Sequence, residues 1–324
     1  MRDYAFIGAK LMAPYMEYCK TIGIWSEHKA TCLSSLDAYC SRNWPNANEL
    51  SQEMVDGWCS KRPTEQINTC IARSKPIRHF LKYQREHGLL ILGDPERPSI
   101  RLSSYIPHPF SEEELKRFFY LCDCVEFSSN NKRNCRNLQL TIPVFFRLLY
   151  SSGMRPIEAR QLSRGDVDMN TGVVNIRKSK GGNQHYIVLH DSMRELMNRY
   201  DEAISGLYPD REYFFPDHMG RSVHPNYWVE RHFKKLWIQV SGAEAVPYAF
   251  RHHYAVTNIN QWIGEGFDFF DKLVYLSKSM GHCAIESTKG YYSLVPAISS
   301  ILKEKTEIDF NEIIPEVSYE ESDE

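Results

Sequence analysis

At 324 residues and 42% hydrophobic content, the chain is long enough for two ordinary domains, each with its own core. No run of 18 apolar residues occurs, and residues 1–20 lack the apolar centre of a secretory leader; this excludes a helical membrane protein and reads as a soluble, cytoplasmic one. A formal net charge of -2 argues against a strongly basic nucleic-acid binder, although residues 301–324 hold nine acids and two lysines, leaving 37 basic and 32 acidic groups, a net +5, in residues 1–300.

Along the chain, residues 4–21 and 30–40 carry apolar residues at helical spacing, and residues 46–62 do so through Leu50, Met54, Val55 and Trp58. Residues 70–87 predict a basic helix in which Arg73, Lys75, Arg78, Lys82 and Arg85 decorate a segment whose Ile77, Phe80 and Leu81 face inward. Pro76 suits a first turn, which places Arg73 and Lys75 just ahead of the helix proper. Residues 88–109 are rich in proline, glycine and serine and read as a linker. A new domain opens at FSEEELKRFF, where Ser111 and Glu114 have capping-box spacing. The expected organisation is a helical domain with its linker over 1–108, a second domain over 109–300 and an acidic tail over 301–324.

Residues 139–152 predict an apolar helix with Pro143 in its first turn. The stretch SSGMRPIEARQL (151–162) follows. Gly153 can take the positive φ that ends one helix, Pro156 suits the first turn of the next, and Arg155 is held at the corner between them. A guanidinium fixed there can clamp a phosphate or carboxylate at two points; the plainer reading pairs it with Glu158. Residues 166–172 then form a turn, 173–177 a strand, 179–183 a turn that sets Lys180 beside Gly181 and Gly182, and 185–189 a second strand. Helices follow over 191–204 and 225–240, with YFFP (213–216) a short buried connection. The fold class is mainly α with a small antiparallel β-sheet. Nine cysteines, an odd number spread through the chain, fit reduced thiols, and the cluster of Cys122, Cys124 and Cys135 lacks the second close pair that structural zinc requires, so no metal site is expected.

Two further stretches complete a pattern. PYAFRHHYA (247–255) carries Arg251, and SMGHCAIESTKGYYSL (279–294) carries His282 with Tyr291 nine residues later. The order Arg155, Lys180, Arg251, His282, Tyr291 resembles the catalytic half of the tyrosine recombinases, the phage integrase family. The resemblance implies a helical core-binding domain joined to a catalytic domain, together clamping double-stranded DNA, and a homotetramer on that DNA, with neither cofactor nor membrane. It assigns Tyr291 as the nucleophile that forms a 3′-phosphotyrosine, with Tyr292 as its rival. Arg155 and Arg251 become the forks that stabilise charge on the phosphorane, and His282 a phosphate ligand or helper of the tyrosine. Lys180, with Lys178 as the alternative, becomes the acid that protonates the leaving 5′-oxygen. Glu158 matches an acidic position that holds the arginine, and the basic helix bearing Arg73, Lys75, Arg78, Lys82 and Arg85 is expected to neutralise DNA phosphates.

This chain departs from the family in having Tyr248 where a histidine is usual. A phenol can donate to phosphate but is a poor base at neutral pH. Extra length between Arg251 and His282, at QWIGEGFDFF (261–270), is a second departure. His252 and His253 read as packing residues beneath the arginine. Residues 308–314 of the tail are expected to dock on a neighbouring protomer. Two rival classes share the pattern: an accessory DNA-binding protein that has lost cleavage, and a type IB topoisomerase-like enzyme.

Overall fold

A computed structural model describes residues 8–96, 107–126, 131–177, 184–261 and 268–282. Lys178, Lys180, Tyr291, Tyr292, most of the 261–270 stretch and the acidic tail lie outside the described residues. The chain divides into two compact units, Met1–Tyr105 and Ile106–Glu324.

The first unit contains helices α1 (Gly8–Thr21), α2 (Glu27–Asn43), α3 (Gln52–Cys59) and α4 (Ile67–Glu86). Ser26 and Ser51 cap α2 and α3 by accepting from the backbone N–H of Lys29 and Met54, satisfying donors that a helix start leaves orphaned. The apolar faces meet in a core of Tyr15, Leu33, Leu36, Val55, Trp58, Ile77 and Phe80.

Pro76 is not in a first turn: it lies well inside α4, so Arg73 and Lys75 are helical. The missing N–H of Pro76 leaves the Ala72 carbonyl without its helical donor, and His28 of α2 places Nε2 3.3 Å from that oxygen. A neighbouring helix thus supplies what the proline removes.

Of the five basic residues expected to decorate α4, Arg73 is turned inward. Arg73 is buried, donates to both carboxylate oxygens of Glu65 at 2.9 and 2.8 Å and to the carbonyls of Trp58 and Ser60, and stacks its guanidinium 4.5 Å above the Trp58 ring. These bonds hold the Glu65 carboxyl down at about 2. Arg78 is bound to the carbonyls of Pro95 and Glu96, and Arg85 to the carbonyl of Leu92 and the carboxylate of Asp94. These arginines fasten the 92–96 segment to α4 and are already engaged. Lys75 and Lys82 remain exposed, the latter 3.7 Å from Glu86.

The second unit opens with α5 (Glu112–Asp123), where the Ser111–Glu114 capping box is present in both directions. Helix α6 (Lys132–Ser152) starts earlier than its apolar stripe suggests, because the Asn131 side chain accepts from the N–H of Asn134. Pro143 therefore sits in its middle, not its first turn. After α7 (Pro156–Arg160) come strands β1 (Val167–Asp168), β2 (Val173–Ile176) and β3 (His185–Val188). They form an antiparallel sheet in the order β1-β2-β3, with Val174 opposite Ile187 and Ile176 opposite His185. Helices α8 (Asp191–Ser205), α9 (Trp228–Trp237), α10 (Ala249–Gln261) and α11 (Asp268–Ser279) complete the unit. Its core is aromatic, with Phe118, Phe145, Phe146, Phe214, Phe215, Phe233 and Phe250 all essentially inaccessible. The buried 213–216 connection expected from YFFP is present, with Phe214, Phe215 and Pro216 buried and Tyr213 half-buried.

Candidate active site

The site is built where α6 ends. Gly153 caps that helix at φ +64, its N–H bonded to the Leu149 carbonyl at 3.2 Å. A side chain is excluded twice over, since a methyl carbon there would come within 2.4 Å of the Tyr254 ring. Left-handed backbone alone costs a residue other than glycine roughly 1–2 kcal/mol. We therefore expect Gly153→Ala to destabilise the protein by more than about 2 kcal/mol once Tyr254 must also move, as measured by urea unfolding; a loss below about 0.5 kcal/mol contradicts this.

Two residues later the chain turns into α7, with Pro156 at its first position and Arg155 at its N-cap. Glu158 fixes Arg155 at both ends: one carboxylate oxygen accepts from the Arg155 N–H at 2.9 Å, the other from Nη1 at 2.6 Å. The carboxylate is inaccessible and the guanidinium nearly so, which makes this a hydrogen-bonded ion pair held largely away from water. Nη2 of Arg155 reaches the Gly281 carbonyl at 3.3 Å. Helix α7 is anchored in turn by Arg160, which is buried and donates to the His224 carbonyl and to Oδ1 of Asn226.

Arg251, in the first turn of α10, is 1% exposed. It donates through Nη1 to the Gly153 carbonyl at 2.7 Å and through Nη2 to the Met280 carbonyl at 2.5 Å. Nη2 also lies 3.0 Å from Nε2 of His282. A guanidinium donates only, so that imidazole nitrogen accepts, which assigns the His282 proton to Nδ1. Burial, followed by the charges of Arg251 and Arg155, holds the His282 imidazole down at about 4. The ring is therefore neutral at physiological pH. Its backbone N–H closes the end of α11 on the Ser277 carbonyl at 3.0 Å.

Tyr248 precedes α10, is 39% exposed, and shares with Arg155, Pro156, Ile157, Val246 and Pro247 the wall of a cavity of about 660 Å³. His252 and His253 are half-buried and their imidazoles are pushed down, first by burial and, for His252, also by the charge of Arg251. His253 stacks on Tyr150 and meets the edge of Phe110, as packing residues do. Cys122 is buried, Cys124 exposed and Cys135 intermediate; among the described residues there is no group of three or more side chains placed to hold a metal ion.

Of the residues singled out in the sequence, the structure brings Arg155, Glu158, Arg251 and His282 together and sets Tyr248 beside Arg155. In the first unit Arg73 is turned inward, while Arg78 and Arg85 stay partly exposed. One site residue escaped the sequence reading. His185, on the inward phase of β3, packs against Gly281, and a polar residue on the buried phase of a short strand was the available signal.

Two guanidiniums and an imidazole thus meet at one small region around the 280–282 turn. Residues 112–296 match the model of the phage integrase family, and the chain belongs to that family. It is a tyrosine-type site-specific DNA recombinase. A tyrosine recombinase XerC of Staphylococcus saprophyticus is 26% identical, over 87% of this chain and 92% of that relative. Among solved structures, the Tn1549 transposon integrase in complex with transposon right end DNA aligns at a TM-score of 0.62, with 13% identity, over 91% of this chain and 98% of that one. A lambda integrase tetramer bound to a Holliday junction aligns at 0.59, again with 13% identity, over 87% of this chain and 76% of that one. The shared fold is the mainly helical one with a small antiparallel sheet.

Proposed function

We propose that Arg155, Arg251 and His282 close around one phosphodiester of duplex DNA, which Tyr291 attacks. The observation that carries this is the 280–282 turn. Arg251 binds the carbonyl of Met280, Arg155 that of Gly281, and the next residue is His282. Three groups from distant parts of the sequence are thereby referenced to one peptide segment, which is the fixed geometry that stabilising a transition state requires.

In the proposed step the phenolic oxygen of Tyr291 bonds to phosphorus as the bond to the 5′-oxygen breaks, giving a 3′-phosphotyrosine and a free 5′-hydroxyl. The departing oxygen takes its proton from the ammonium of Lys180. Neutral His282, whose Nε2 already accepts from Arg251, donates its Nδ1–H to a phosphate oxygen, and the proton of the attacking phenol passes to solvent. Tyr248, a poor base at neutral pH, donates to a phosphate oxygen alongside Arg155. Rejoining reverses these steps with a new 5′-hydroxyl, so the phosphoester energy is retained. Exposed Lys75 and Lys82 are the α4 groups left to meet the DNA backbone, and four protomers acting on two duplexes suit an exchange of strands; the tetrameric lambda integrase relative supports that reading.

The test is adduct mapping. Nicked duplexes tiled across the DNA flanking the gene are incubated with the protein, quenched in detergent and digested, and the nucleotide-bearing peptide is sequenced by mass spectrometry. We expect Tyr291 joined to a 3′-phosphate. An adduct on another residue, or a 5′-phosphate linkage, overturns the reading.

A further inference from the structure

The catalytic reading leaves one histidine of the site unused. His185 opens β3, five residues after Lys180 in the sequence, and pairs with Ile176 of β2. Strand alternation turns His185 and Ile187 inward and Tyr186 and Val188 outward. His185 is 8% exposed. An aliphatic residue would fill a buried strand position without the cost of desolvating a polar ring, so the imidazole calls for a reason beyond packing.

That reason lies in what the ring touches. Gly281 adopts φ +62, and a methyl carbon placed on it would come within 2.6 Å of Cε1 and 2.7 Å of Nδ1 of His185. The His185 ring thus occupies the space that a side chain at position 281 would fill. Gly281 is also the residue whose carbonyl accepts from Arg155, and it stands between Met280, whose carbonyl accepts from Arg251, and His282. His185 and His282 line the same cavity of about 990 Å³, together with Tyr254, Tyr275 and Lys278.

We propose that His185 is a positioning residue for strand cleavage. Its ring seats the 280–282 turn against the arginines and joins β3 to the helix end that bears His282. The phosphate ligands then keep a common reference, which matters because a misplacement of about 1 Å can cost about 10²-fold in rate. This role rests on the catalytic assignment of Arg155, Arg251 and His282 made above.

The test combines His185→Ala, Gly281→Ala and the double variant, using full-length protein and the same tiled nicked duplexes. We expect His185→Ala to keep its thermal midpoint within a few degrees and its DNA affinity, while single-turnover attachment falls about 10–100-fold, the range a small misplacement produces. Gly281→Ala drives a methyl into the ring and falls further. The double variant, with that methyl in the vacated space, should attach faster than Gly281→Ala alone. In the free protein, ¹⁵N histidine spectra should show the single Nδ1–H tautomer of His282 in the wild type and an averaged signal in His185→Ala, a change that a purely structural residue would not cause. Wild-type attachment together with an unchanged rate and His282 spectrum in His185→Ala overturns the role of His185 alone. A wild type that attaches to none of the fragments overturns the catalytic assignment and this role with it.

Discussion

Arg251→Ala should reduce covalent attachment to DNA by about 10³-fold or more, because removing a single preorganised donor to a developing oxyanion costs about 10²–10³ and this residue also orders its neighbours. The side chain bonds the carbonyls that end α6 and α11 and meets Nε2 of His282. Truncation therefore removes a phosphate ligand and unpins both helix ends. It leaves buried acceptors unpaired, so the protein should also lose about 3–5 kcal/mol of stability, the range for breaking a buried charged network. Arg251→Lys separates the two effects. An ammonium keeps the charge but lacks the planar fork that reaches Gly153 and Met280 together. We expect it to fold, to bind DNA within a few-fold of wild type, and to attach about 10²-fold more slowly in single turnover, one preorganised donor having been lost. Wild-type attachment by Arg251→Lys would contradict the placement of this guanidinium on the phosphate.

The histidine next to it gives that loss a signature in pH. His282 is held at about 4 by burial and the two guanidiniums, against about 6.5 for a free imidazole. A depressed histidine destabilises the fold as pH falls, since the unfolded chain takes up its proton near 6.5 and the folded one only near 4. Removing Arg251 takes away one of the charges that hold the imidazole down, so its pKa should rise toward the ordinary value and the acid-side loss of stability should shrink.

Much of this centre was legible because the local rules are strict. A glycine that must end a helix, a proline that suits the start of the next and an acid three residues after the arginine leave Arg155 little freedom, and the structure places all of them accordingly. The Ser111–Glu114 box is equally local. What failed was decided across the fold. Pro76 sits inside α4 because His28, on another helix, meets the carbonyl the proline orphans, and no window around Pro76 contains that fact. The charges of α4 were visible, but not that Arg73 turns inward to Glu65 and Trp58. His185 was passed over for the same reason, since its meaning depends on Gly281, a residue of a different helix end.

Tyr291→Phe should abolish covalent attachment while leaving DNA binding within about twofold of wild type. Deleting one oxygen removes the nucleophile and changes neither charge nor bulk at neutral pH, so the phosphate ligands Arg155, Arg251 and His282 still engage the duplex. The expected rate is background, because hydrolysis by water would leave no adduct. Tyr292→Phe is the discriminating partner, since the two phenols are adjacent in sequence and only one can lie in line with the 5′-oxygen. With Tyr291 as nucleophile, Tyr292→Phe retains attachment. The reverse outcome moves the nucleophile by one residue while leaving the arginine and histidine assignments standing. Mixing Tyr291→Phe with Arg251→Ala protein adds a further reading. Adducts that reappear in the mixture require one protomer to offer its tyrosine to another's phosphate site, whereas continued absence requires each protomer to cleave with its own.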